Sequence, residues 1–185
     1  IDLVPNHVAR SYHSDVRPEL TFGEGDDRGA FFSRDNHFFY LQSGDPPLTL
    51  PGFDRGANRP LSPTCEALRG GDPSYQCDGL FDWRGAGETD YGRVTGNNVT
   101  SWSPDLNSWY ETVKLNYGLD FTTGAMEHPH DGQPELPIPR TWLVMDAVIA
   151  HWQSLGVDGF RADMAHMVPM EFWRWAVKRC PNCNA

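Results

Sequence analysis

The sequence contains no cluster of lysines and arginines, and its 15 basic residues are outnumbered by 25 acidic ones, for a net charge of −10. That argues against nucleic acid or an anionic membrane surface as a partner, since both select a dense positive patch. No apolar run approaches the length needed to cross a bilayer, and no basic, apolar-cored leader opens the chain. There is no internal repeat and no low-complexity tract. The first residue is not Met, and the chain begins in what reads as the middle of a strand. The expectation is a segment of a longer protein, with its cellular compartment unassigned.

Cysteine is scarce, at four residues. Cys65 and Cys77 sit in a Gly/Pro-rich stretch, and a bridge between them would point to an oxidising compartment. Four thiols allow three pairings, and spacing does not choose among them. Cys180-Pro181-Asn182-Cys183 is a lone C-x-x-C with no second pair nearby and no thioredoxin-like surroundings. Surface cysteines in a loop after a helix are expected there, ahead of half a zinc site or a redox pair.

What is present is enough for a real core: 185 residues, 39% of them hydrophobic. Aromatic residues are plentiful, with 7 Trp, 10 Phe and 6 Tyr. Trp102, Trp109 and Tyr110 gather in one loop-like stretch. They suit either a platform for stacking sugar rings or the small core of a loop-rich region, and the sequence leaves both open.

The chain divides into three parts. Residues 1–7 read as a short buried strand. Residues 8–140 are rich in Gly and Pro with weak helical periodicity, although Phe38-Phe39-Tyr40-Leu41 and Lys114-Leu115-Asn116-Tyr117 have strand character. A loop region of that length is usually functional or a subdomain of its own. In residues 141–185 the pattern changes. Met145, Val148, Ile149, Trp152 and Leu155 fall at helical spacing, with Thr141 as N-cap candidate and Gly156 as stop. A strand from Val157 to Asp163 follows, then a second helix opening near Pro169. Glu171 in its first turn and Lys178 and Arg179 in its last complement the helix dipole. Helix, strand and helix in that order indicate an α/β fold with a parallel sheet.

Two short stretches carry chemistry. One is Ile1-Asp2-Leu3-Val4-Pro5-Asn6-His7. The other is Gly156-Val157-Asp158-Gly159-Phe160-Arg161-Ala162-Asp163. On a strand, Gly159, Arg161 and Asp163 share one face while Phe160 and Ala162 take the other. A guanidinium beside a carboxylate favours the ionised form, which a nucleophile needs. Both stretches resemble signature regions of the α-amylase family of glycoside hydrolases (family 13). The first family region, D-x-V-x-N-H, is matched by Asp2, Val4, Asn6 and His7. The second, G-x-D-G-F-R-x-D, is matched by Gly156, Asp158, Gly159, Phe160, Arg161 and Asp163.

The resemblance implies part of a (β/α)8 TIM barrel with a long, loop-rich domain B insertion after strand three. Residues 1–7 would be barrel strand three and residues 8–140 the domain B-like insertion. Residues 141–185 would supply barrel helix three, strand four and the following helix. Asp163 would be the catalytic nucleophile of a retaining mechanism and Arg161 the group that holds it charged and oriented. His7 would bond the sugar in the cleavage subsite. His166 stands where many amylases carry the lysine of a Lys-His pair that contacts sugar, and His166-Met167 here departs from that pair. Asn6 matches an asparagine that in many members ligates a structural Ca2+, and Asp2 would brace the barrel interior. A further family motif, x-P-D-L-N, fits Ser103-Pro104-Asp105-Leu106-Asn107 by letters. Gln133-Pro134-Glu135-Leu136 fits it less well but lies closer to Asp163. No role is assigned to either.

The expected substrate is an α-glucan: starch, glycogen or maltooligosaccharides. Hydrolysis is the first expectation. Transfer to another sugar, as in a maltosyltransferase, is the near alternative. The family's acid/base glutamate belongs to the fifth strand and its transition-state aspartate lies near the seventh, neither of which is in these residues. The enzyme would therefore be the parent protein, this piece alone inactive, and the remainder of its own barrel its packing partner. Two rivals remain. One is a catalytically dead carbohydrate-binding barrel and the other a metal or redox module built on the C-x-x-C.

Overall fold

The computed structural model describes residues 1–42, 48–50, 88, 90–105 and 107–179. All four cysteines, and the questions of their pairing and of the C-x-x-C, fall outside the described residues. The described elements, in order, are β1 (Asp2–Leu3), β2 (His7–Ala9), β3 (Thr112–Lys114), α1 (Arg140–Ser154), β4 (Arg161–Ala162) and α2 (Met170–Arg179). Single-turn helices stand at Pro18–Leu20 and Ala165–Met167.

β1 and β4 pair in parallel, Asp2 opposite Arg161 and Leu3 opposite Ala162. Parallel neighbours require a long crossover. Here it comprises the whole insertion and α1. The strand read from residues 1–7 is broken in the structure. Pro5 has no N–H to give a ladder, and the chain turns there. It resumes as β2, antiparallel to β3, with His7 opposite Lys114. The strand read from Val157 to Asp163 is likewise shorter than expected and pairs only over Arg161–Ala162, where β1 flanks it.

α1 begins at Arg140, with Pro139 in the cap position, so Thr141 is not the cap. Proline pre-sets the backbone for helix entry and has no N–H to satisfy. Thr141 is instead fully buried, its Oγ1 3.2 Å from Nδ1 of His37. The helix stops as the sequence indicates, with Gly156 at φ +90°, a conformation that suits glycine. α2 follows Pro169 directly, with its charges placed as expected. The apolar stripe of α1 is only partly covered: Met145 and Ile149 are buried, but Trp152 is 41% and Leu155 64% exposed. A two-stranded sheet is too narrow to cover the last turn.

Two hydrophobic clusters organise the interior. The first unites Leu3 and Val113 with Trp142 and Met145 of α1 and Phe172 of α2. Trp142 donates its Nε1–H to the Tyr117 carbonyl at 3.0 Å and meets the Phe172 ring edge-on at 5.6 Å. The Tyr117 hydroxyl in turn donates to the Pro5 carbonyl at 2.7 Å, fixing the corner between β1 and β2. The second cluster belongs to the insertion: Phe39, Leu41, Leu48, Leu50, Val94 and Tyr110. Residues 38–41 straddle both. Phe38 and Tyr40 face the first cluster, Phe39 and Leu41 the second, which is the two-residue alternation of extended chain. Their pairing is confined to single bridges, Phe38 to Leu115 and Tyr40 to Arg93. Strand character read at 114–117 lies two residues upstream, in β3.

His37 sets an acid limit on this packing. It is 1% exposed, and burial, reinforced by the Arg140 charge, pushes its pKa from 6.5 down to about 4. Below pH 6.5 the unfolded chain takes up this proton while the folded one does not until about pH 4. Stability is therefore present above 6.5 and lost as pH falls through that window, by about 3 kcal/mol in all. Asp26, whose carboxyl burial raises above 3.8, gains its proton early and offsets the lower end. Thermal unfolding followed from neutral pH to pH 5 is expected to show this loss, and His37→Gln is expected to flatten it. An unchanged slope in that variant would contradict the assignment.

Candidate active site

Because β1 and β4 run parallel, the residues that follow them emerge at the same end of the pair, Asn6 and His7 after one and Asp163 after the other. Asp163 is pinned by its own N–H, which donates to the Leu3 carbonyl at 2.8 Å. The next residue, Met164, has φ +52°, a left-handed conformation unusual for a residue with a side chain. That turn ends the strand abruptly, so Asp163 stands at its tip with its side chain 32% exposed. Its Oδ1 lies 3.2 Å from Nη2 of Arg161. This contact is the one expected from residues two apart on a strand. Nη1 of Arg161 reaches Oδ2 of Asp2 at 3.4 Å. Arg161 and Asp2 are 67% and 65% exposed, so within these residues the pair stands on an open face.

His7 is half-buried and adjoins this carboxylate. Burial lowers its pKa most; the Asp163 charge raises it and the Lys114 charge lowers it, with a net fall. The ring is therefore neutral at neutral pH. Its tautomer follows from Asn6, which is fully buried. The Asn6 carbonyl oxygen accepts from the Lys114 ammonium. Its amide nitrogen donates to the Gly96 carbonyl at 2.8 Å and faces Nδ1 of His7 at 3.2 Å. Nδ1 is thus the acceptor, and the proton sits on Nε2, free to donate to a ligand oxygen. Gly96 permits this approach, since a Cβ there would meet Thr112 Oγ1 and stand 3.0 Å from the His7 Cβ. The Trp109 ring lies 5.4 Å from the His7 ring. The aromatic group thereby splits: Trp109 flanks the site, while Tyr110 and Trp102 pack in the insertion's core.

Lys114 belongs to no motif in the sequence. It is 6% exposed, and burial pulls its pKa from 10.5 down to about 8. Besides Asn6 it donates to the Met167 carbonyl at 2.9 Å. The only sequence signal is a lysine inside an apolar run, Val113-Lys114-Leu115. Asn6 is thus engaged by a lysine at the oxygen through which it would ligate calcium. Two neutral oxygens beside a fixed positive charge do not suit a hard dication that takes six to eight oxygens, usually with carboxylates. Among the described residues, no group of three or more His, Cys, Asp or Glu side chains is placed to share a metal.

His166 is exposed in the single-turn helix just after Asp163. The two motif-like segments have structural roles or none in view. The Asp105 carboxylate accepts from Asn107 N–H, Ser108 N–H and the Ser108 hydroxyl, which closes a turn and lowers its pKa. Glu135 is exposed.

Comparison with known proteins gives a limited match. A 43-residue stretch is 40% identical to the alpha-1,4-glucan:maltose-1-phosphate maltosyltransferase of Myxococcus xanthus (strain DK1622). The match covers 23% of this chain and 6% of that protein. It is consistent with a distant relation to glycosyl-transferring enzymes of family 13. No protein-family profile matches the chain, and no solved structure does.

Proposed function

We propose that these residues belong to a retaining enzyme acting on α-linked glucans, with Asp163 as the nucleophile. The observation that supports this most is the Asp163–Arg161 pair at the end of β4, beside His7 at the same end of the neighbouring parallel strand. Barrel enzymes build their sites at that end. In this reading the Asp163 carboxylate attacks the anomeric carbon, and the glycosidic bond breaks as the ester forms. The Nε2–H of His7 bonds a sugar oxygen, and Trp109 offers an apolar face to the ring. A second carboxylate protonates the leaving oxygen and comes from barrel strands beyond these 185 residues. Those strands and their helices would also cover the exposed Leu143, Trp152, Leu155 and Met170.

The ester then passes to water or to a sugar hydroxyl. The likeness to a maltosyltransferase favours transfer. Hydrolysis remains the second reading, carried by the signature residues alone. The full-length protein given maltose 1-phosphate and an α-1,4-glucan is expected to lengthen the glucan and release phosphate. A hydrolase would instead shorten maltooligosaccharides and raise reducing ends without an acceptor. Neither product from a folded, full-length protein would contradict the proposal and favour a barrel that only binds carbohydrate. The 185 residues alone are expected to give neither.

A further inference from the structure

We propose that the ammonium of Lys114 occupies, as a tethered cation, the place between Asn6 and Met167 where a bound calcium would otherwise sit, so that the protein neither binds nor needs calcium there. The inference stands on geometry and does not depend on the reaction proposed above.

Three observations converge. Lys114 is buried, and its contacts at this point are two oxygens, the Asn6 side-chain carbonyl and the Met167 backbone carbonyl. Both are neutral acceptors. They come from segments far apart in sequence, one after β1 and one after Asp163. A buried cation coordinated by carbonyl oxygens from two segments is doing what a structural metal does: it ties together two turns that the β1–β4 pairing has already brought to the same end. The position is also specified by the fold, since Lys114 lies directly opposite His7 in the β2–β3 pair. That register aims its side chain at the turn bearing Asn6. A dication added to the same place would face the lysine's positive charge at contact distance, with no group of carboxylates among the described residues placed to offset it, which is why the two are alternatives.

The exchange is testable in both directions on the full-length protein. Lys114→Asp removes the ammonium and supplies two anionic oxygens on a shorter arm. A calcium about 2.4 Å from them would fill the gap that the lysine stem had spanned. In the wild type, neither EGTA nor millimolar calcium is expected to move the melting temperature by more than about 1 °C, and metal analysis is expected to find no stoichiometric calcium. Lys114→Asp is expected to melt lower in EGTA and to recover by about 5 °C in millimolar calcium but not in sodium chloride of equal ionic strength. Lys114→Met is expected to melt lower and not to respond to calcium. Stoichiometric calcium in the wild type, or its destabilisation by EGTA with recovery in calcium, would overturn the proposal. So would a Lys114→Met protein as stable as the wild type. If Lys114→Asp does not fold in either buffer, the wild-type and Lys114→Met measurements decide the matter.

Discussion

Replacing Asp163 by asparagine is expected to cost the full-length enzyme at least about a thousand-fold in turnover, with little change in stability. The two halves of that expectation have separate grounds. Asparagine keeps the volume and can still accept a hydrogen bond from Arg161, but its amide oxygen does not form a glycosyl ester. The loss in rate is therefore the loss of the covalent step. Stability is spared because asparagine is isosteric with aspartate and leaves Arg161 an acceptor at the same position, 3.2 Å from Nη2 in this structure. Turnover measured on the same substrate, together with melting temperature, separates the catalytic role from a merely structural one. A strand-end aspartate that only capped its turn would show the opposite pattern, a lower melting temperature with near-normal turnover. Arg161→Gln is expected to fall between the two in rate, since it removes the partner and leaves the nucleophile.

The second large effect lies in the insertion and should be one of stability. Glu88 is 3% exposed at its side chain and lies between two arginines. Its carboxylate takes both Nη1 contacts of Arg10, at 3.0 and 2.8 Å, and the Nε and Nη2 of Arg93, at 2.8 and 2.6 Å. Arg93 also returns a bond to the Arg10 carbonyl at 2.7 Å. Arg10 directly follows β2, so this buried cluster clamps the insertion to the strand that carries His7. Glu88→Ala leaves two buried guanidinium groups with no counter-charge. Removing one member of a buried pair typically destabilises by about 3–5 kcal/mol, because the remaining charge is stranded away from water. For a domain of this size that corresponds to a fall of roughly 10 °C in melting temperature. Replacing all three residues together by apolar ones of similar volume is expected to cost far less, since no charge is then left buried. Urea or thermal unfolding of the two variants side by side tests the contrast. Equal losses would mean that the cluster acts through its shape rather than its charge.

Local pattern made the two ends of the chain legible. The helix carrying Met145, Val148, Ile149 and Trp152, the stop at Gly156 and the start after Pro169 each depend on neighbours within a turn and are found where the sequence indicates, although Trp152 and Leu155 at the end of the stripe stay exposed. The Arg161–Asp163 contact is legible for the same reason, being a consequence of strand alternation. Two differences at these ends are of degree. A hydroxyl at a helix start usually caps it, but the partner of Thr141 is His37 in the insertion. The strand pairs over less than residues 157–163 because an apolar run does not reveal how much of it has a neighbour to pair with.

The middle of the chain was opaque for a different reason. Its organisation rests on polar contacts between residues far apart, and no periodicity encodes them. Glu88 finds Arg10 across 78 residues, and Lys114 finds Asn6 across 108. Among the described residues, the second core is built from single extended residues such as Phe39 and Leu41, not from long strands. Asn6 illustrates the limit best. Its position in the D-x-V-x-N-H stretch pointed to a metal, and only the register of β2 on β3 reveals that a lysine faces it.

The central claim is that Asp163 carries the sugar between donor and acceptor. The measurement that reaches it most directly is mass spectrometry of peptides from the full-length enzyme after treatment with a fluorinated maltosyl fluoride that forms the glycosyl ester faster than it is released. The account predicts a peptide spanning Asp163 heavier by one fluoromaltosyl group, with the label absent from Asp163→Asn. A label on any other carboxylate would contradict it.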